Sequence, residues 1–189
     1  MTDATARPAC SRRQALAGLT GLGGSVLLPA WAQTTPQAGD KAKMADANQP
    51  GPQVGKLLAL PDVQLLDGSF FRAADADGQV LLLYWWASWC PFCAQQTPVM
   101  DKFWLAYKGR GLRMLGLSID RKAEDASSYL NKHRFTFPVG LVTPAIERVL
   151  SKPKGLPVTV IRGRDGRVLA AETGQLFPED IEQFARFLR

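Results

Sequence analysis

Residues 80–93 read VLLLYWWASWCPFC and join an uninterrupted apolar run to two cysteines spaced three apart. Seven apolar residues from Val80 to Trp86 are typical of a central strand that is buried on both faces. Pro91 suits the first turn of a helix, where its missing N–H would be unpaired in any case. The segment therefore predicts a buried strand that leads directly into a helix beginning at Cys90.

Periodic segments on both sides extend this strand and helix into an α/β domain. The helix is expected to continue to the glycines at 109 and 111, and residues 112–119 give a second buried strand, which completes a βαβ unit. The remaining predicted elements are a hairpin around Asp67-Gly68, helices over 122–132 and 143–151, a hairpin over 157–173 turning at Asp165-Gly166, and a closing helix over 178–189. This order predicts an α/β sandwich around a mixed central sheet.

The position of the two cysteines favours redox chemistry. A helix beginning at Cys90 directs free N–H groups and the positive end of its dipole at that sulfur, which lowers the pKa of the thiol below the free value of about 8.5. Cys93 follows one turn later on the same side, close enough for an intramolecular disulfide but more buried. Thiol–disulfide exchange needs these two roles, an accessible thiol that attacks and a neighbour that resolves the mixed disulfide.

The first 32 residues have the composition of an export signal. A basic region ends in Arg12-Arg13, residues 14–32 carry no charge, and Ala30 and Ala32 are small residues that predict cleavage before Gln33. Adjacent arginines after a serine favour the twin-arginine route, while a Sec signal and an uncleaved membrane anchor stay open. All three readings place the folded domain outside the cytoplasm, in the periplasm.

The rest of the chain divides into a linker and one domain. Residues 33–53 are rich in Gln, Ala and Pro and predict a flexible linker, and residues 54–189 suit a single domain. The formal charge of +6 is spread thinly and no aromatic residues interleave with the basic ones. This pattern argues against nucleic-acid binding.

The segment LLLYWWASWCPFC (81–93) resembles the active-site segment of thioredoxin-like proteins, in particular the TlpA/ResA-type extracytoplasmic thiol-disulfide oxidoreductases. Trp89 before the first cysteine and Pro98 five residues after the second match that family. The segment KGLPVTVIRGRDGRV (154–168) matches its cis-proline loop, and LLDGSFFR (65–72) its opening hairpin. The resemblance covers roughly residues 54–189. It implies a thioredoxin-like three-layer sandwich with a central mixed β-sheet and an N-terminal β-hairpin.

The resemblance also assigns roles to single residues. It implies that Cys90 attacks and Cys93 resolves, with no cofactor and no metal. A cis bond before Pro157 would let the backbone of Leu156 bind a substrate strand. Trp89 would be a wall beside the disulfide or a contact to the substrate.

Two positions depart from the family pattern. Tyr84 stands where thioredoxins keep a buried acid, and Gln96 stands where TlpA/ResA-type proteins often carry a Glu. Neither side chain accepts a proton near neutral pH, since an amide does not titrate and a free tyrosine does so near pH ~10. We therefore expect resolution of the mixed disulfide by Cys93 to be slow near neutral pH.

The resemblance implies a monomeric protein-disulfide reductase that a membrane electron donor keeps reduced. Its substrates would be protein disulfides, such as those of apocytochromes during cytochrome c maturation or of copper-site apoproteins. The Pro91-Phe92 dipeptide between the cysteines does not fix the reduction potential, so a disulfide-forming oxidase of the same fold stays open.

The sequence supports three other interpretations less well than thiol–disulfide exchange: a copper carrier, a structural zinc site and a peroxiredoxin. A copper(I) metallochaperone could use the two thiolates of the CPFC segment and would need a further ligand such as His133, the only histidine. A structural zinc site needs four ligands. A peroxiredoxin would need a Thr or Ser three residues before its cysteine, where this chain has Ala87.

Overall fold

The computed structural model describes residues 51–189, so the predicted export signal (1–32) and nearly all of the predicted linker (33–53) lie outside the described residues. The strands are β1 (Val63–Gln64), β2 (Phe70–Phe71), β3 (Val80–Trp86), β4 (Leu112–Ser118), β5 (Val139–Leu141), β6 (Val158–Arg162) and β7 (Val168–Thr173). The α-helices are α1 (Pro91–Tyr107), α2 (Ala123–His133), α3 (Pro144–Glu147) and α4 (Pro178–Glu182). None of these helices is both long and apolar enough to cross a bilayer.

The central sheet is mixed, as predicted. Its five strands lie in the order β5-β4-β3-β6-β7, with β3 parallel to β4 and antiparallel to β6. All seven residues of β3 are buried, and they alternate between two apolar clusters, one on each face of the sheet. One face packs against α1, α2 and α4, and the other against α3 and the β1–β2 hairpin. The protein therefore has the predicted three layers, with β3 at their centre.

Both edges of the sheet receive backbone contacts from the beginning of the domain. The N–H of Leu66, in the turn between β1 and β2, donates to the carbonyl oxygen of Val139 in β5 over 2.8 Å. At the opposite edge, Gly55 donates to Val168 of β7 over 2.8 Å, and Val168 donates back to Lys56 over 2.9 Å. Residues 55–66 thus reach both outer strands.

Four local features differ from the sequence prediction. The strand β5 was missed, because Pro138 and Gly140 interrupt its short apolar run. The helix predicted over 143–151 covers only α3, after which the chain continues in turns, with the N–H of Leu150 donating to the carbonyl of Ile146 over 2.7 Å. The closing helix predicted over 178–189 changes after α4 into a 3₁₀ helix at Gln183–Leu188, a common form of a helix end. Residues 73–79, for which no element is predicted from the sequence, contain a 3₁₀ turn at Ala73–Ala76.

Candidate active site

Two cysteines lie at the N-terminal end of α1, directly after β3. Cys90 is the N-cap residue of the helix, and Cys93 lies in the first turn, with the two Cα atoms 5.2 Å apart and the side chains joined as a disulfide. The backbone N–H of Cys93 donates to Sγ of Cys90 over 3.2 Å. A helix-terminal N–H aimed at sulfur, together with the helix dipole, favours negative charge on that sulfur once the disulfide is reduced.

Cys90 is less accessible than the sequence predicted. Both cysteines belong to the apolar cluster under α1, with Cys93 completely buried and Cys90 nearly so. The expected order of burial is confirmed, and in this disulfide form Cys90 is more buried than the accessible thiol that the sequence predicts. The cap position explains the difference, because it turns the sulfur back toward the first turn of the helix, where it accepts the Cys93 N–H.

Two exposed aromatic side chains are sequence neighbours of the disulfide cysteines. Trp89 is 65% exposed and Phe92, between the two cysteines, is 55% exposed. Phe177, 62% exposed, follows Leu176, whose N–H donates to the side chain of Gln96 on α1 over 2.7 Å. The exposure of Trp89 favours a contact surface over a buried wall. Phe177 was missed, since only the fold brings it near α1.

The predicted cis peptide bond is present between Leu156 and Pro157. Val158, the first residue of β6, pairs with Trp85 near the C-terminal end of β3. The loop therefore lies at the same end of the central strands as the two cysteines, which follow β3. Leu156 is partly buried against the cluster that contains both cysteines. The carbonyl oxygen of Pro157 accepts a hydrogen bond from Gly174, while the N–H and carbonyl of Leu156 bond to no other group of residues 51–189.

A chain of hydroxyl groups connects β3 to Cys93. The hydroxyl of Thr97 donates to the carbonyl oxygen of Cys93 over 2.7 Å, and the Tyr84 hydroxyl lies 3.1 Å from the Thr97 oxygen. Since the Thr97 proton is engaged with Cys93, Tyr84 donates in the second bond. Burial raises the pKa of Tyr84 well above its usual value. Tyr84 is therefore a neutral donor, and it does not replace the missing buried acid as a proton acceptor.

Gln96 is fully buried, with both ends of its amide bonded. Its Nε2 donates to the hydroxyl of Thr159 in β6 over 3.1 Å, and its Oε1 accepts from Leu176. The amide thus ties α1 to β6 and to the segment before α4. Its role in this structure is to hold these elements together, and it offers no titratable group to Cys93.

A buried carboxylate lies beside the loop that carries the first cysteine. Asp120, 5% exposed, lies two residues after the end of β4, and its carboxylate accepts hydrogen bonds from the hydroxyls of Ser88 and Ser118, each over 2.7 Å. Sequence reasoning missed this contact, because 32 residues separate Ser88 from Asp120. The position of an acid directly after a buried strand was the available signal.

Residues 51–189 contain no group of three or more His, Cys, Asp or Glu side chains arranged to hold a metal ion. His133, the ligand that a copper carrier would have needed, is the last residue of α2. Its ring packs against Tyr129 and stacks on Phe135, with ring centroids 4.5 and 5.5 Å away. These contacts explain the position of His133 without a metal.

Comparison with known proteins identifies similar sequences. The AhpC/TSA family model matches residues 56–142. The chain is 28% identical over 127 residues to the thiol-disulfide oxidoreductase ResA of Geobacillus kaustophilus (strain HTA426), which covers 65% of this chain and 72% of the relative. A ResA of Bacillus anthracis is 25% identical over 148 residues, covering 78% of this chain and 80% of the relative.

Solved structures agree with these matches. A thiol:disulfide interchange protein DsbE from Chlorobium tepidum is 28% identical and superposes with a TM-score of 0.61, covering 72% of this chain and 96% of the other. A thioredoxin-family thiol:disulfide interchange protein from Chlorobium tepidum TLS gives a TM-score of 0.65 at 20% identity, covering 72% and 100% of the two chains. The second match supports the fold alone.

Proposed function

We propose a function from one premise, which is that the chain belongs to the thioredoxin-like thiol-disulfide oxidoreductases and is related to ResA. On that premise, the protein reduces disulfide bonds of other proteins by dithiol–disulfide exchange. The observation that carries the proposal is the pairing of Cys90 with Cys93 at the N-terminus of α1. The Leu156-Pro157 loop, which lies at the same end of the central strands as the cysteine pair, supports the proposal.

The reaction starts from the dithiol. The Cys90 thiolate attacks one sulfur of a substrate disulfide, so that a mixed disulfide forms, the substrate S–S bond breaks, and the released substrate sulfur takes up a proton. Cys93 then loses its proton and attacks Sγ of Cys90, which releases the second substrate sulfur as a thiol. The substrate has gained two electrons and two protons, and the enzyme holds the Cys90–Cys93 disulfide.

The enzyme disulfide must be reduced again before the next turnover. A membrane-bound dithiol donor can do this by the reverse exchange, in which the donor becomes a disulfide. This donor fits the predicted export signal over 1–32, which places the domain in the periplasm either free or anchored to the membrane. The protein acts there as a monomer on protein thiols and disulfides.

Substrates would bind at the C-terminal end of β3, beside the disulfide. The N–H and carbonyl of Leu156, which have no partner within residues 51–189, can add one extended substrate strand, with Pro157 at the end of that contact. Trp89 offers a large apolar surface to the residues beside the substrate cysteine. Trp89→Ala should raise the KM for a protein disulfide about fivefold or more, as for a contact worth ~1 kcal/mol, while Leu105→Ala, which shortens another exposed apolar side chain, should not.

Reduction of insulin by the full chain tests the proposal. With dithiothreitol as the electron donor, the wild type should accelerate insulin reduction far above the uncatalysed rate, and Cys90→Ser should abolish the acceleration. A wild-type rate no higher than that of dithiothreitol alone would contradict the proposed activity.

The direction of electron flow is tested separately, by equilibrating the cysteine pair with glutathione. A reductase predicts a potential near that of thioredoxin, about −270 mV, and a value near about −120 mV would identify an oxidase. Anaerobic titration with Cu(I) addresses the copper reading. Tight stoichiometric binding that His133→Ala abolishes would replace the redox role with copper carriage.

A further inference from the structure

Asp120 occupies a position that connects the sheet to the nucleophile. It comes shortly after β4, at the C-terminal ends of β3 and β4. The last residues of these two strands, Trp86 and Ser118, are paired. The N–H of Ile119 donates to the carbonyl of Trp86 over 3.0 Å, which fixes the backbone next to Asp120. The carboxylate therefore lies two residues beyond the paired ends of β3 and β4, and Ser88 connects it to the segment before α1.

The carboxylate of Asp120 binds Ser88 at two points. The Ser88 hydroxyl donates to Oδ1 over 2.7 Å, and the Ser88 backbone N–H donates to Oδ2 over 3.1 Å. The Ser118 hydroxyl donates to Oδ2 and accepts the backbone N–H of Asp120 over 3.1 Å, which fixes the carboxylate from the strand side.

Ser88 belongs to the turn that carries Cys90. The N–H of Cys90 donates to the carbonyl of Ala87 over 3.2 Å, so residues 87–90 form a turn with Ser88 and Trp89 at its centre. The bonds that Ser88 donates to Asp120 therefore anchor the turn at its first central residue. Through this anchor, Asp120 sets the direction from which the backbone enters α1.

The hydrogen-bond donors that hold Asp120 are neutral. None of the ion pairs formed within residues 51–189 includes Asp120. Arg121 and Lys122 follow it in the sequence, but both side chains are exposed to solvent. The charge of Asp120 is thus buried, hydrogen-bonded and without a cationic partner in the described part of the chain.

We propose that Asp120 is a positioning residue for Cys90. Asp120 fixes the turn before Cys90 through Ser88, and its negative charge favours the disulfide form. The charge repels the Cys90 thiolate and does not act on the neutral disulfide, so it opposes the helix N-terminus and makes the dithiol a stronger reductant. This inference rests on the proposed function and gives it a direction, toward reduction of substrates.

Asp120→Asn tests the charge, because the amide oxygen can still accept a bond from Ser88. Equilibration with glutathione should show a shift of about tenfold toward the dithiol, equal to about 30 mV. Asp101→Asn is the matched control, since Asp101 is a second buried carboxylate that accepts the N–H and hydroxyl of one residue, Thr136, over 2.7 and 3.1 Å, away from the disulfide. An equilibrium constant for Asp120→Asn within twofold of the wild type would overturn the inference.

The wild type in the same titration separates this inference from the proposed function. A wild type that forms no reversible disulfide with glutathione contradicts both, whereas a normal wild-type titration with an unchanged Asp120→Asn contradicts the role of Asp120 alone. If Asp120→Asn does not fold, Ser88→Ala keeps the charge and removes one bond to the turn. It should slow attack of the dithiol on 5,5′-dithiobis(2-nitrobenzoate) at least fivefold, and Ser88→Thr should restore the rate; an unchanged rate in Ser88→Ala contradicts the positioning role.

Discussion

Replacing Gln96 with Glu tests how Cys93 loses its proton in the resolving step. Gln96 is buried one helical turn after Cys93, where side chains at i and i+3 are neighbours. A Glu has the same shape and can still accept the Leu176 N–H, and the Thr159 hydroxyl can turn to donate to the carboxylate. Gln96→Glu therefore adds a titratable group next to Cys93 without adding volume.

The expected effect on the rate follows from the ionisation of Cys93. A thiol with a pKa of about 8.5 is only about 3% thiolate at pH 7, and the complete burial of Cys93 lowers that fraction further. The wild-type resolving rate should then rise up to about tenfold for each pH unit from about 6 to 8. A carboxylate that accepts the proton contributes ~10²-fold or more in favourable cases. We expect about tenfold here at pH 7, because burial raises the pKa of the new carboxyl and leaves less of it ionised to accept the proton.

The same substitution should lower stability in a pH-dependent way. Burial raises the pKa of the new carboxyl above its unfolded value of about 4.3. The Gln96→Glu variant is therefore as stable as the wild type only at pH values below the unfolded pKa. As pH rises through the raised pKa, the charged form loses about 1–3 kcal/mol of unfolding free energy. Urea unfolding at pH 4 and pH 7 measures this difference.

Stopped-flow reaction of the dithiol with 5,5′-dithiobis(2-nitrobenzoate) separates the two steps, because attack by Cys90 releases the first thionitrobenzoate and resolution by Cys93 releases the second. Gln95→Glu is the control, since the neighbouring Gln95 is exposed on the same helix and receives the same change. Equal second-phase rates for Gln96→Glu and the wild type across pH 6 to 8 would refute the reasoning.

Three further predictions address the trapped intermediate and the packing around it. Cys93→Ser should accumulate a mixed disulfide between Cys90 and a protein substrate, seen as a band on non-reducing gels that dithiothreitol removes; no such band would contradict the resolving role. Thr97→Val removes a buried hydroxyl that joins β3 to α1 and should cost about 1–3 kcal/mol in urea unfolding, with a value near zero contradicting the importance of that link. Gly140→Ala would place a Cβ against the β1–β2 hairpin and should lower the free energy of unfolding by about 1–3 kcal/mol. Gly155→Ala is the control, because no atom lies within 4 Å of the new Cβ. Equal unfolding midpoints for the two variants would contradict the close approach of the hairpin to Gly140.

Local sequence patterns were sufficient for the frame of the fold. The apolar run from Val80 to Trp86 and the helix after Pro91 were both predicted and observed, because each signal is continuous along the chain. The hairpin turning at Asp165-Gly166 was also confirmed. The short strand β5 was not predicted, since its few residues gain their strand pairing from β4 and carry little signal of their own.

The candidate site was only partly predictable. The cysteine pair and the cis-proline loop lie in recognisable motifs, and the structure places them at one edge of the sheet. The bonds of Gln96 to Thr159 and of Ser88 to Asp120 join residues 63 and 32 positions apart. Such pairs are brought together by the register of the sheet, which periodicity along one segment does not reveal.

The backbone contacts that residues 55–66 make with β5 and β7 have a consequence for the proposed function. A protein that captures incompletely folded chains through a mixed disulfide brings flexible polypeptide close to its own outer strands for as long as the covalent link lasts. Outer strands with unpaired N–H and carbonyl groups would recruit such polypeptide into intermolecular sheets, the first step of aggregation. The beginning of the domain already occupies some of the hydrogen-bonding positions on both margins. Under the proposed function, a tethered client would find those positions closed to strand pairing.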